Sequence, residues 1–345
     1  MNRKKFLATS ALGMGAIFQI PFTGSSLPAE NVYEAFKNSA SESEIYDVII
    51  VGGSFAGLSA AMGLGRCLRK VLVFNEGLAR NRTSPQANNL FSRDGENPAE
   101  IHQIAKKQLQ QYREYLSMIA GKVNAIEAKD SVFQVTHENG STYQAQRIVF
   151  ASGVTDNLQE ISGLEELWGR GVYHCPYCHG WENRGKKTVV IGVGTQALGL
   201  ASTVSHWASE ITYFSQGVAL DLPEQSIQML QNAGITIFDS KVSSINKVGD
   251  SIHIKLEGIE EVRVFEACYA PGVITANSTL ATSLGCTTTR SGSIEVNEQY
   301  MSSIEHVYAI GDVCNRSNGQ VVHAAYSGTV VAAAINNDFL RRRLS

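Results

Sequence analysis

Six consecutive residues hold the most chemistry in this chain: His174-Cys175-Pro176-Tyr177-Cys178-His179. Two cysteines separated by two residues suit three kinds of site. They can close a small reducible ring and act as a redox dithiol. They can supply half of a zinc site, but no second C-x-x-C exists here. Four ligands taken from His174, Cys175, Cys178 and His179 would strain neighbouring residues around one ion, so no metal is expected. They can also attach a c-type haem, because C-x-x-C-H is present letter for letter. The redox dithiol is favoured, since the motif leads into a strand of an α/β unit and not into a small helical haem domain. His179, beside the second sulfur, is a candidate proton carrier near neutral pH; the plain alternative is a turn residue.

Such a pair needs a scaffold, and two strand–glycine–helix units provide one. Tyr46 to Val51 is a continuous apolar run of the kind that parallel strands covered on both faces require. It runs into Gly52-Gly53-Ser54-Phe55-Ala56-Gly57, then a helical stretch, then a strand over Val71–Phe74 ending at Asn75-Glu76. This is a dinucleotide-binding βαβ unit. Gly52 makes the tight turn and Gly57 lets the helix approach the strand. The helix N-terminus suits a pyrophosphate, and Asn75 or Glu76 is placed to bond a ribose. Ser54 stands where the middle glycine usually is. A second unit starts at Lys187: a strand over Thr188–Ile191, then Gly192, Gly194 and Ala197 in G-x-G-x-x-A spacing, a helix, and a strand over Ile211–Phe214. Near the C-terminus Val307 to Ile310 forms a strand that ends in Gly311-Asp312. An aspartate there can accept bonds from ribityl hydroxyls. From Gln320 and Val321 a helix begins whose N-terminus would face a flavin's pyrimidine edge.

Composition agrees with an enzyme of this kind. The 345 residues suggest about two domains. A hydrophobic share of 43% is enough for sizeable cores and excludes intrinsic disorder as the main state. A net charge of −3 leaves no basic excess for phosphates, so no nucleic-acid partner is expected. Six cysteines in this length do not make a disulfide scaffold. Residues 1–29 read as a signal: basic Asn2-Arg3-Lys4-Lys5, an apolar stretch over Phe6–Phe18, and Leu27-Pro28-Ala29 in place of a clean cleavage site. Arg3-Lys4-Lys5 resembles a twin-arginine signal with Lys for the second Arg. The stretch is too short for an integral membrane span. Residues 30–43 read as a linker.

These motifs, in this order, resemble the low-molecular-weight thioredoxin reductases among the flavoprotein disulfide reductases. The resemblance spans Tyr46 to Leu340 and is carried by VIIVGGSFAGLSAA, the Ala151-Ser152-Gly153 strand exit, GRGVYHCPYCHG, VVIGVGTQA and YAIGDV. It implies an α/β fold of two Rossmann-like domains. The FAD domain would be discontinuous, at 44–157 and 273–345, with the NAD(P) domain inserted at 158–272. The first turn would bind FAD and the second NAD(P)H. Cys178 would be the flavin-facing sulfur and Cys175 the interchange thiol, with the nucleotide domain rotating to present either nicotinamide or disulfide to the flavin. Gly311 and Asp312 match the family's FAD-binding pair. Asn81-Arg82 and Asn88-Asn89 before Asp94-Gly95 resemble a relative-specific loop near the flavin, which puts Asn89 among the FAD contacts; a solvated loop is the alternative.

The expected reaction passes a hydride from NAD(P)H to FAD, and its electrons to the Cys175–Cys178 disulfide and on to a thioredoxin-like protein or small disulfide. A homodimer is expected. Two departures stand out. His179 replaces the family's usual aspartate, as in the fungal epidithiol oxidases that this C-x-x-C-H form resembles. Ser215-Gln216-Gly217 replaces the basic pair that holds the 2′-phosphate of NADPH, which leaves NADH against NADPH open. The alternative runs backwards: an exported dithiol oxidase passing electrons to dioxygen. The leader points to the periplasm or cell envelope; without it the chain would be cytoplasmic.

Overall fold

The structure, a computed structural model, describes Phe36, residues 40–220 and residues 224–344. The expected signal over 1–29 and most of the linker lie outside the described residues. The elements that position the site are, in chain order, β1 (Val48–Val51), α1 (Phe55–Arg66), β2 (Val71–Asn75), β3 (Leu116–Ala120), β4 (Ile148–Phe150), β5 (Val154–Asn157), β6 (Val172–Tyr173), α2 (Pro176–His179), β7 (Lys187–Ile191), α3 (Gly194–Val204), β8 (Glu210–Phe214), β9 (Ile235–Phe238), β10 (Ala267–Tyr269), β11 (Val273–Ala276), β12 (Val307–Ala309) and α4 (Val321–Leu344).

Two parallel sheets form, in the order β12-β4-β1-β2-β3 and β6-β10-β7-β8-β9. The first is built from both ends of the chain, because β12 pairs with β4. All four residues of β1 are buried, as a central strand covered on both faces requires. In the second sheet the faces separate cleanly. Val189 and Ile191 enter one apolar cluster. Val190 enters another, with Ala197, Leu198, Ala201 and Val204 of α3. Each parallel sheet is accompanied by a smaller sheet, over 242–265 for the second. The chain passes between the two sheets along β5 and returns along β11, which pair antiparallel. This is the α/β arrangement of two Rossmann-like units.

Glycines fix the approach of the first helix. Gly52 has φ of 111°, in the left-handed region. A Cβ on Gly57 would lie 1.9 Å from the Gly52 carbonyl oxygen, so only glycine lets α1 meet β1. The far side of α1 meets α4 as closely, for a Cβ on Gly328 would lie 2.5 Å from the Ala56 carbonyl oxygen. Packing against α1 thereby sets where α4, and Gln320 just before it, can be.

Candidate active site

Cys175 and Cys178 form a disulfide. Cys175 caps the single turn of α2, with Pro176 opening it, and its Sγ accepts the Cys178 N–H at 3.2 Å. Residues remote in sequence close over the sulfurs. The Gln320 side-chain amide donates to Cys175 Sγ at 3.4 Å and to Cys178 Sγ at 3.3 Å. Asn88 Nδ2 donates to the Cys178 carbonyl at 2.8 Å. Asn89 Nδ2 donates to Gln320 Oε1 at 3.3 Å. Asn89 has φ of 58°, a left-handed conformation that asparagine tolerates. Asp94 Oδ1 holds it there by accepting its N–H at 2.6 Å. Of the two residues that the sequence places near a flavin, Gln320 bonds both sulfurs and Asn89 bonds Gln320.

His179 stacks on Tyr173, ring centres 4.2 Å apart. Both its ring nitrogens are buried and make no hydrogen bond. Burial, with a smaller push from His174, lowers its pKa to about 4, so the imidazole is neutral at pH 7. On the other side of the pair, His174 stacks on Trp168 and is likewise held down to about 4, chiefly by burial and then by Arg80. The remaining described thiols are poor nucleophiles where they are buried. Burial pushes Cys268 far up and Cys314 to about 11. Among the described residues no cluster of His, Cys, Asp or Glu is arranged to hold a metal ion.

The first glycine turn has the chemistry of a pyrophosphate site. Ser54 does not cap α1 with its side chain, and no carboxylate sits in the first turn. Ser54 Oγ instead lies 3.3 Å from His102 Nε2, a partner that no motif announced. Burial lowers His102 to about 4 as well. Gly53 abuts Asn75, whose Oδ1 accepts the Gly77 N–H at 2.9 Å, while Glu76 is exposed. At the end of β12, Gly311 and Asp312 lie beneath α4, where the Gly311 N–H donates to Ser327 Oγ at 3.0 Å. Asp312 accepts from Ser317 Oγ at 2.6 Å and from Arg80 at 3.2 Å. An open helix N-terminus, a turn without room for side chains and an anchored aspartate fit FAD. Gly52, Gly53, Ser54, Gly57 and Asn75 would hold its nucleotide half, and Gly311, Asp312 and the Val321 end of α4 its flavin half.

The second turn is built alike. A Cβ on Gly192 would meet Ala197 Cβ at 2.9 Å, Gly194 has φ of 77°, and Val193 leaves the N-terminus of α3 without a side-chain cap. A cavity of about 210 Å³ opens beside it, lined by Gln196 and Leu200 of α3, by Pro271, and by Arg80, Asp156 and His174. The side chains of the two residues after β8 are engaged by neighbouring protein groups. Ser215 Oγ donates to the Val218 carbonyl at 2.6 Å. Gln216 Oε1 accepts the Val242 N–H at 2.6 Å, and its Nε2 donates to Gln159 at 3.4 Å.

Two Rossmann-like units with a disulfide where they meet define a nucleotide-dependent flavoprotein disulfide oxidoreductase. The family model of pyridine nucleotide-disulphide oxidoreductases matches residues 46–328, and the chain belongs to that family as a thioredoxin reductase-like member, with FAD and NAD(P)H as its cofactors. Thioredoxin reductase tcpT of Claviceps purpurea is 30% identical over 319 residues, which cover 87% of this chain and 96% of its own. Thioredoxin reductase sirT of Leptosphaeria maculans is 29% identical over 310 residues, covering 85% and 94%. The crystal structure of HlmI superposes with a TM-score of 0.83 at 25% identity, covering 88% of this chain and 96% of that one.

Proposed function

We propose that this enzyme reduces a thioredoxin-like protein or a small disulfide with electrons from NAD(P)H, delivered through Cys175 and Cys178. The observation that supports this most is the disulfide itself, held by its own unit through α2 and touched from the other unit by Gln320 and Asn88. Bound FAD supplies the two-electron carrier between nucleotide and disulfide. The chain's own residues do the rest. Cys175 attacks the substrate disulfide and Cys178 resolves the mixed disulfide. Burial holds the His179 pKa at about 4, below the neutral range expected of a proton carrier, so it stays neutral beside the pair. It takes the proton that Cys175 sheds on attack and passes it to the departing thiolate. The working form is a homodimer exported by its leader.

A second reading has one specific observation behind it. Ser215 and Gln216 are committed to backbone bonds, so neither offers a cation to a 2′-phosphate. An enzyme with little hold on NADPH can run as a dithiol oxidase: a dithiol becomes a disulfide, and dioxygen takes two electrons and two protons to give hydrogen peroxide. Anaerobic titration with NADH and NADPH, followed by addition of a thioredoxin or a small dithiol, separates the two. Bleaching of the flavin by nucleotide and its return on adding a disulfide supports the reductase. Bleaching by a dithiol alone, with peroxide on admitting air, supports the oxidase. No response to either removes both.

A further inference from the structure

We infer that Gln320 is a catalytic residue that stabilises the Cys175 thiolate, and that Asn89 is the positioning residue that aims it. The inference rests on Cys175–Cys178 being the redox pair. A glutamine amide has a donor end and an acceptor end, and only the donor end favours a thiolate. Asn89 decides which end faces the sulfurs. Its Nδ2 donates to Gln320 Oε1 at 3.3 Å, which leaves Nε2 to fork between Cys175 Sγ at 3.4 Å and Cys178 Sγ at 3.3 Å. Asp94, through the Asn89 N–H at 2.6 Å, fixes the loop conformation that makes this possible.

The two sulfurs are not equally served. Cys175 Sγ accepts two N–H donors, from Gln320 and from Cys178 N at 3.2 Å, whereas Cys178 Sγ accepts the Gln320 donor. When two electrons and two protons open the disulfide, one thiol can shed its proton at neutral pH. The donor count selects Cys175, the sulfur that must attack the substrate. Hydrogen bonds to a charged acceptor are among the strong ones, about tenfold or more in an equilibrium. The titratable groups on the surrounding elements include His174 and His179 beside the pair, Tyr173 stacked on His179, Arg80, Asp156 and Asp312 acting on His174, Asp94 on the loop, and His323 on α4, bonded to Tyr300. All of them stay in place in the variants below.

The test is the pH profile of Cys175 alkylation in the reduced, FAD-loaded enzyme, read by mass spectrometry of the labelled peptide with iodoacetamide as probe. Gln320→Leu should move the profile up by about one pH unit, an about tenfold slower reaction below it. Gln320→Glu, of the same shape but negatively charged, should move it further. Asn89→Gly, which suits the left-handed backbone, should move it in the same direction by less. Profiles unchanged in all three variants overturn the inference, as does a shift confined to Cys178. The readout needs neither nucleotide nor substrate, so it stands apart from the test of the overall reaction.

Discussion

Arg80 faces Asp156 squarely, its Nε and Nη2 donating to the two carboxylate oxygens at 2.8 and 2.6 Å. Arg80 lies in the loop after β2, and Asp156 on β5, where the chain leaves the first unit. Burial pushes the Asp156 carboxyl up, but the Arg80 bonds and charge outweigh it and hold the group below the usual carboxylate range. The same guanidinium reaches Asp312. One side chain therefore ties the exit strand to the aspartate that would hold the flavin.

Removing one partner should cost more than removing both. Arg80→Leu leaves two carboxylates without their cation and should lower stability by about 3 kcal/mol. The double variant Arg80→Leu/Asp156→Leu should recover part of that. Urea denaturation of the FAD-loaded enzyme measures it; a single variant within about 0.5 kcal/mol of the parent would refute the role.

Cys175→Ser should abolish exchange with disulfide substrates while NAD(P)H still bleaches the flavin. Cys178→Ser should also lose exchange, and should differ from it in long-wavelength absorbance. Full turnover by either variant would show that the pair is not the relay.

Discrimination between NADH and NADPH should be weak. Without a cation at Ser215 or Gln216, a charged hydrogen bond worth about 1.5–3 kcal/mol is missing, a factor of about ten to a hundred in affinity. Anaerobic bleaching rates at equal concentrations measure it. An NADPH advantage of about a hundredfold would mean that another basic residue supplies the contact.

Acid should weaken the fold before the carboxylates titrate. His102, His174 and His179 are each lowered from 6.5 to about 4 by burial. Between those values the unfolded chain binds protons that the folded chain refuses. Their contribution is complete above about pH 6.5 and shrinks as pH falls toward 4, by several kcal/mol in all. The melting midpoint should fall across that window, and less steeply in His174→Gln. A flat midpoint would contradict the burial of these rings.

Gly57→Ala should strip the flavin. The added methyl lies 1.9 Å from the Gly52 carbonyl oxygen and must push α1 off β1. Such overpacking costs about 1–3 kcal/mol or more, and the purified variant should be colourless at FAD concentrations that saturate the parent. Unchanged absorbance near 450 nm, roughly the flavin band, would disprove it.

What the sequence revealed was local. Val48–Val51 and Lys187–Ile191 announce themselves as parallel strands by apolar runs, and the glycines after them by spacing. Cys175 and Cys178 need only two residues between them. The rest depends on pairings that no period marks. Gln320 meets Cys175 from 145 residues away, and Asn88 meets Cys178 from 90. Arg80 looks like any loop arginine until β5 and β12 bring Asp156 and Asp312 to it. No motif marks His102, and the fold sets it beside Ser54. Gln216 was legible as a non-basic residue, but its turn inward to Val242 was not.

The ribbon of β5 and β11 pairs Asn157 with Val273, so the chain leaves and re-enters the first unit at neighbouring points. A protein wired this way is divisible. Strand partners stand about 5 Å apart, a gap that a two-residue hairpin closes. Replacing residues 158–272 by such a turn, or by the corresponding piece of a relative, should leave both remaining strands of the first unit in register.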